Sequence, residues 1–352
     1  MRIPELREKL DERELDAYIG VKNSHYLSET SASTAAIITP QDSILLCSRL
    51  DLGQAEKESK ISDIRTFSKS EVPIREDEEA LFGEFGEVLG KILDEISAER
   101  IGYDQLDSKT LQKLRDEHDA EFEEAPDTLE DLRMIKTEEE IKYLKKAAEL
   151  AKKGMDTARE LIEPGRSEIE IATEVEYAMR KASSEGTAFN TIVAAGEDSW
   201  LPHIKPTDRK LGEGELITVD LGAQWRGYRS DMTRTFSISP TPKQEKILKI
   251  SKKAQKAALN VIKADVKAKE VDEAARKVVR KADYEEYYLH GSGHGVGLDI
   301  HEPPSLTPDS EDVLKEGVVT TVEPGIYVQG VGGTRFEDMI LVTRQGYEFL
   351  TR

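Results

Sequence analysis

Short apolar runs recur through the first third of the chain, at 17–21 (AYIGV), 35–40 (AAIITP), 43–48 (SILLCS) and 100–104 (RIGYD). Acidic stretches with apolar residues at helical spacing separate them, so the alternation predicts strands and amphipathic helices of a small α/β domain over residues 1–126. A linker is expected at 123–136 (EEAPDTLEDLRMIK). Beyond it the pattern repeats. Residues 150–182 align without gaps on residues 250–282, an offset of about 100, and both copies end in Arg-Lys-Ala. Each copy reads as helix–turn–helix, which points to an internal duplication in residues 127–352. Two strands, 217–223 and 228–236, are expected to form a hairpin around the four turn-like residues Gln224, Trp225, Arg226 and Gly227. Two further β-rich runs, TTVEPGIYV and TRFEDMILVT, follow near the end.

Inside these apolar elements sit residues that do not belong in a hydrophobic core. If the hairpin pairs Ala223 with Tyr228, Asp220 lies directly opposite Asp231 on one face, with Cβ atoms roughly 4.5–5.5 Å apart. Like charges so placed repel, and the simple alternatives are that both face solvent or that one takes up a proton. Glu323 begins the turn of TTVEPGIYV and Glu337 lies in TRFEDMILVT, so both are read as strand positions. A carboxylate buried there costs several kcal/mol, by general estimates, unless it is paired or binds metal. His294 lies in HGSGHGVGLDIHEPP, where glycines at 291, 293, 295 and 297 let the backbone pass close to a neighbour while His290, His294 and His301 project from it. Four carboxylates and one imidazole form an oxygen-rich ligand set, suited to two manganese-, cobalt- or iron-like ions rather than a structural zinc.

These segments resemble the proline-specific peptidases with the pita-bread fold, namely Xaa-Pro dipeptidase (prolidase) and Xaa-Pro aminopeptidase, relatives of methionine aminopeptidase and creatinase. The resemblance spans nearly the whole chain: AYIGVKNSHYLSET, LRMIKTEEEI, TVDLGA, SDMTRTF, HGSGHGVGLDIHEPP, TVEPGIY and TRFEDMILVT. It implies a creatinase-type N-terminal domain and a pita-bread catalytic domain. It also implies that Asp220 chelates one divalent ion, that His294 and Glu323 bind a second, and that Asp231 and Glu337 bridge the two. Manganese or cobalt is the expected metal, with iron or zinc as alternatives. Glu323 is further implied to shuttle protons, His203 to stand at the mouth of the site, and His301 to contact the substrate carbonyl. His290 is read as a supporting residue. Arg335 is assigned to the strand face opposite Glu337, as a structural partner.

The substrate implied is a proline-containing dipeptide or short peptide, and a homodimer is expected. Some prolidases carry an arginine four positions after the equivalent of His301, to hold the free carboxylate of a dipeptide; here that position is Ser305. The dipeptidase reading is preferred, with an aminopeptidase acting on longer peptides as the alternative. A non-catalytic binding protein of the same fold is the alternative of another class.

Composition closes off other functions. A net charge of −20 from 70 acidic and 50 basic residues disfavours nucleic-acid backbones and anionic membranes. No apolar run approaches the roughly 18 residues of a membrane span, and the start MRIPELREKL lacks a signal-peptide pattern, so a soluble cytoplasmic protein is expected. The one cysteine, Cys47, excludes an internal disulfide and reads as a core residue in SILLCS. The glycines of GSGHGVG do not fall at G-x-G-x-x-G spacing, no H-E-x-x-H is present, and Ser292 lacks a nucleophile elbow. His25 and His118 are assigned no role in the chemistry.

Overall fold

The computed structural model describes residues 2–71, 73–76 and 78–352. The chain divides into two compact units, Met1–Leu132 and Arg133–Arg352. The first is built on a seven-stranded sheet in the order Ala80–Phe82, Asp63–Ser68, Ser43–Ser48, Ala35–Ile38, Ala17–Gly20, Arg100–Tyr103 and Glu121–Glu124. The four strands predicted from apolar runs occupy its middle, where Ile19, Ile37, Leu46 and Ile101 pack with Leu89 and Ile92 of the Phe85–Ile96 helix. The three strands not predicted flank them. One of them, EFEE with only Phe122 buried, carries too few apolar residues to signal a strand, and neighbouring backbone supplies the pairing.

The expected linker is ordered structure. Its first residues complete the Glu121–Glu124 strand and the rest form the helix Asp127–Met134. Arg13 binds Asp127, Lys9 binds Asp131 at 3.0 Å, and Leu129 is buried, which ties that helix to the first unit. The division therefore falls after Leu132 instead of at 126.

In the second unit the internal repeat is visible at the level of single hydrogen bonds. Helices Glu138–Leu161 and Glu168–Lys181 form one pair, and helices Pro242–Leu259 and Ala268–Arg280 form the other. Gly165, at φ +93°, donates to Leu211 O, and Asp265, one hundred positions later at φ +68°, donates to Leu314 O. Leu211 and Leu314 in turn donate to Arg166 O and Val266 O. The first pair covers the sheet Met232–Ile238, Glu215–Leu221 and Ile192–Ala195, burying Leu150, Val175, Val193 and Val219 in one core. The second lies over the five-stranded sheet Glu302–Leu306, Gly293–Gly295, Val319–Val322, Asp338–Thr343 and Gly346–Phe349, with Ile250, Val271, Val322 and Ile340 in another. Thr137 and Thr241 open the first helix of each pair with capping boxes to Glu140 and Gln244.

Two expectations about strand position are corrected. Trp225 pairs with Tyr228 and Gln224 with Arg229, leaving a two-residue turn, Arg226–Gly227, in which both φ angles are positive (+48° and +77°). That turn matches the natural twist of a hairpin better than four loose residues, and Arg226 adopts the left-handed conformation to make it. The register moves by two, so Asp220 faces Thr233 and not Asp231. A shift of two preserves the face, and the aspartates remain diagonal neighbours on it. Glu323 and Glu337 are also not within strands. Glu323 lies between Val319–Val322 and Gly325–Val328, and Glu337 between Gly332–Arg335 and Asp338–Thr343, where the chain leaves one sheet for another and can turn a side chain inward.

Gly222 holds the hairpin at its narrowest point: a Cβ there would stand 2.0 Å from the Ser230 carbonyl oxygen, beside Asp231. Gly222→Ala is expected to destabilise the second unit by about 1–3 kcal/mol, the usual range for overpacking. An unchanged denaturant midpoint would show that the hairpin does not need this approach.

Candidate metal centre

The strand ends of the second unit converge on four carboxylates. Asp220, Asp231 and Glu337 are 7%, 6% and 1% exposed, and Glu323 lies against them. Asp220 projects from the Glu215–Leu221 strand, and Asp231 directly precedes Met232–Ile238. The Glu337 amide donates to Thr233 O at 3.1 Å, while the Thr233 hydroxyl donates to Glu337 Oε2 at 2.7 Å. The Glu323 amide donates to Ser292 O at 2.8 Å. His294 approaches from the neighbouring strand, its Nε2 lying 3.3 Å from Glu323 Oε1 and 3.6 Å from Asp231 Oδ2. Its Nδ1 faces Gly295 O at 3.0 Å, a contact that takes the ring proton and leaves Nε2 turned to the acids.

The charges are poorly balanced by protein alone. Burial, then the charges of Glu337, Asp220 and Glu323, raise the pKa of Asp231 well above the carboxylate range. Burial, Glu323 and Asp220 do the same to Glu337. For His294, burial opposes the charged form, yet the hydrogen bond and charge of Glu323 lift its pKa to about 9. Glu323 is shifted down: burial opposes its ionisation, but its bond to His294 and that ring's charge prevail. Two unit charges 4 Å apart interact by about 4 kcal/mol at an effective dielectric of 20, so protonation is the lower-energy state of this cluster without a cation.

The donor set fits divalent cations. One oxygen each of Asp220 (Oδ1) and Glu337 (Oε1) is buried with no hydrogen-bond partner, which costs free energy unless something electropositive meets it. Ligand atoms of Asp231, His294 and Glu337 all lie within 4.8 Å of one another. A set of carboxylate oxygens with one imidazole suits manganese-, cobalt- or iron-like ions.

Arg335 is not turned away as expected. It donates to Asp220 Oδ2, to the Tyr327 hydroxyl at 2.7 Å and to the Thr233 hydroxyl at 3.1 Å. Glu337 lies beyond the end of the Gly332–Arg335 strand, so alternation along a strand does not set the two side chains on opposite faces. The Tyr327 hydroxyl passes the connection to His290 Nε2 at 2.8 Å, and His290 Nδ1 donates to Gly291 O at 2.7 Å. Burial lowers the His290 pKa, so the ring is held neutral as an acceptor.

His301 lies beside His294, ring centroids 4.3 Å apart, with one side open to solvent; burial and the neighbouring His294 lower its pKa. His203 is exposed in the loop after Gly196–Trp200, near enough for its charge to contribute to the lowered pKa of both His290 and His301. Glu302, which no sequence pattern flagged, forms a buried ion pair with Arg133 and contacts Lys136 at 3.2 Å, fixing the residue after His301. The crowded glycines pass close to other strands: a Cβ on Gly295 would meet Pro303 O at 2.2 Å. Away from the cluster, His118 contacts Asp94 at 2.9 Å, and burial raises the Cys47 thiol to about 11.

Comparison with known proteins agrees with this geometry. Residues 142–344 match the model of metallopeptidase family M24, and residues 2–135 match the Creatinase/Prolidase N-terminal domain. The chain is 37% identical over 358 residues to an Xaa-Pro dipeptidase of Pyrococcus furiosus, covering 100% of this chain and 97% of that one. Among solved structures, an Xaa-Pro dipeptidase from Bacillus anthracis superposes with a TM-score of 0.91 at 33% identity, covering 100% of this chain and 97% of that one. The prolidase from Pyrococcus horikoshii OT3 superposes with a TM-score of 0.90 at 36% identity, covering 100% and 98%. The duplicated α+β unit is the pita-bread fold of these enzymes, and the chain belongs to metallopeptidase family M24, with a Creatinase/Prolidase N-terminal domain preceding its catalytic unit.

Proposed function

We propose that the protein hydrolyses the peptide bond between an N-terminal residue and proline in dipeptides. The observation that carries this reading is the buried acid cluster with two unpartnered oxygens and His294 against two of its acids, in a chain aligned over its full length with Xaa-Pro dipeptidases. An aminopeptidase acting on longer peptides is less favoured, because relatives matched over the full chain are named as dipeptidases. A non-catalytic role fits poorly with a complete set of four carboxylates and His294.

In this proposal Asp220 holds one divalent ion, His294 and Glu323 hold a second, and Asp231 and Glu337 serve both. When bound, the two cations supply Lewis acidity, lowering the pKa of water from about 15.7 towards neutrality and stabilising negative charge on the scissile carbonyl oxygen. Glu323 takes the proton of the attacking water and returns it to the departing proline nitrogen. His301, neutral and open on one side, offers an N–H to the carbonyl oxygen, and His203 offers a second donor from the mouth. Arg335 aims Asp220 through its bond to Oδ2. Manganese or cobalt as the metal, a homodimer and a cytoplasmic location complete the proposal; buried Cys47 as the only thiol accords with a reducing compartment.

The metal-linked stability has a definite sign. Asp231, Glu337 and His294 have folded pKa values above their unfolded values of about 3.9, 4.3 and 6.5. Each therefore stabilises the metal-free fold below its unfolded pKa and loses that contribution as pH rises through the folded one. The lowered Glu323 acts oppositely, but only in acid below its unfolded value of about 4.3. The melting temperature of metal-free protein is expected to fall between about pH 5 and pH 9 and to level out with saturating metal, which needs the deprotonated ligands. A metal-free curve that is flat or rises over this range would contradict the cluster's electrostatics.

Asp231→Asn and Glu337→Gln are expected to lose both metals by elemental analysis. His203→Ala is expected to keep them and to lower turnover by roughly 100-fold to 1000-fold, the usual effect of deleting a transition-state donor. Metal loss in a folded His203→Ala protein would make that residue a ligand.

Substrate length has a local test. Ser305 is exposed, pairs with His294 across the strands and so shares its face. An arginine there could bind a dipeptide carboxylate with two charge-assisted bonds, where serine offers at most one neutral bond. Hydrolysis is expected for Ala-Pro and Met-Pro over Xaa-Pro-Xaa tripeptides. Ser305→Arg is expected to sharpen that preference, and improved tripeptide cleavage would show that position 305 does not face the substrate C-terminus.

A further inference from the structure

Beside the metal centre, on the helix Ala268–Arg280, stands a fully buried carboxylate that the chemistry above does not use. Asp272 accepts the Ser292 hydroxyl on Oδ1 at 2.7 Å and Arg276 Nε on Oδ2 at 2.6 Å. Ser292 is fully buried as well, and the Tyr288 hydroxyl donates to its Oγ at 2.6 Å. Arg276 also reaches the His290 carbonyl at 2.9 Å, its guanidinium lying 4.5 Å from the centre of the Tyr288 ring. Ser292 then hands on the connection through its backbone: its carbonyl accepts the Glu323 amide at 2.8 Å.

The helix does not need this acid to pack. One hundred positions earlier, in the equivalent helix of the first half, the matching residues are Ala172 and Glu176, and Ala172 sits buried in the core there. Burying an ionised carboxylate is unfavourable unless pairing and hydrogen bonds offset it, so alanine is the easier choice on packing grounds. The second half departs from its own repeat where the helix passes the segment between His290 and His294.

We propose that Asp272, with Arg276, is a positioning residue for the metal centre, fixing Ser292 so that its carbonyl orients Glu323 while Arg276 fixes the backbone of His290. The proposal rests on Glu323 being part of the working site. Asp272 touches neither substrate nor metal in this scheme; it sets the direction from which Glu323 meets its neighbours. Partners of this kind around ligating side chains govern affinity and activity without binding the ion.

The test uses full-length Asp272→Asn, Ser292→Ala and the double variant, read in two ways. In metal-free protein, hydrogen exchange at the Glu323 amide is expected to quicken by about tenfold in each single variant, because the acceptor carbonyl is no longer held. In titrations with cobalt alone, affinity is expected to fall by roughly 10-fold to 100-fold and the absorption spectrum of the bound ion to change. The double variant is expected to be no worse than the weaker single one, since both act through one connection. Unchanged exchange at Glu323, a general loss of melting temperature with cobalt affinity intact, or additive losses in the double variant would each overturn the proposal. If Asp272→Asn does not fold, Ser292→Ala alone suffices, since it removes the link while leaving the helix intact. The exchange measurement needs no metal, so it remains decisive even if the protein proves not to be a peptidase.

Discussion

Asp220, Asp231, Glu323 and Glu337 are withdrawn from water into a pocket where Arg335 is the guanidinium that meets them and His294 the imidazole. Mutual repulsion in a low-dielectric setting would drive such a group apart or protonate it, and much of the second unit is arranged to prevent the first. Three sheets and the junctions between their strands carry the four acids inward from separate parts of the chain. Thr233, the backbone amides of Glu323 and Glu337, and the Tyr327–His290 connection hold them once there. Protonation remains the recourse of the protein without metal, which is why Asp231, Glu337 and His294 all hold protons more tightly than usual. In the proposed function, divalent cations would resolve the same conflict by supplying positive charge in place of protons, and would supply the Lewis acidity a peptidase uses.

Much of this was legible in the sequence, for identifiable reasons. Apolar runs such as SILLCS announce buried central strands because both of their faces are covered, whereas Asp63–Ser68 and Glu121–Glu124 are strands by virtue of their neighbours. The duplication could be read from the helices because their buried stripes must repeat if both halves pack alike. Hairpin register could not be read so directly. Gln224 and Trp225 look like turn residues, yet Arg226 accepts a positive φ and the turn shrinks to two residues. The error was two positions, and strand periodicity kept Asp220 and Asp231 on a common face regardless.

The acids themselves stand out because carboxylates inside apolar segments demand an explanation. Their supports are harder to find. The role of Arg335 depends on Tyr327 in the paired strand and on Asp220, which is remote in sequence. Glu302 with Arg133 and Lys136 joins segments about 170 residues apart, and Asp272 with Ser292 joins a helix to the loop before a strand; no local pattern encodes such pairings. Asp272 left one trace, the mismatch between the two copies of the repeat.

The account is tested most directly by anomalous diffraction from crystals equilibrated with manganese. It predicts two adjacent peaks enclosed by Asp220, Asp231, His294, Glu323 and Glu337, with Asp231 and Glu337 in contact with both and the unpartnered oxygens of Asp220 and Glu337 turned onto metal. A well-ordered site without manganese, or with manganese bound only elsewhere in the chain, would contradict it.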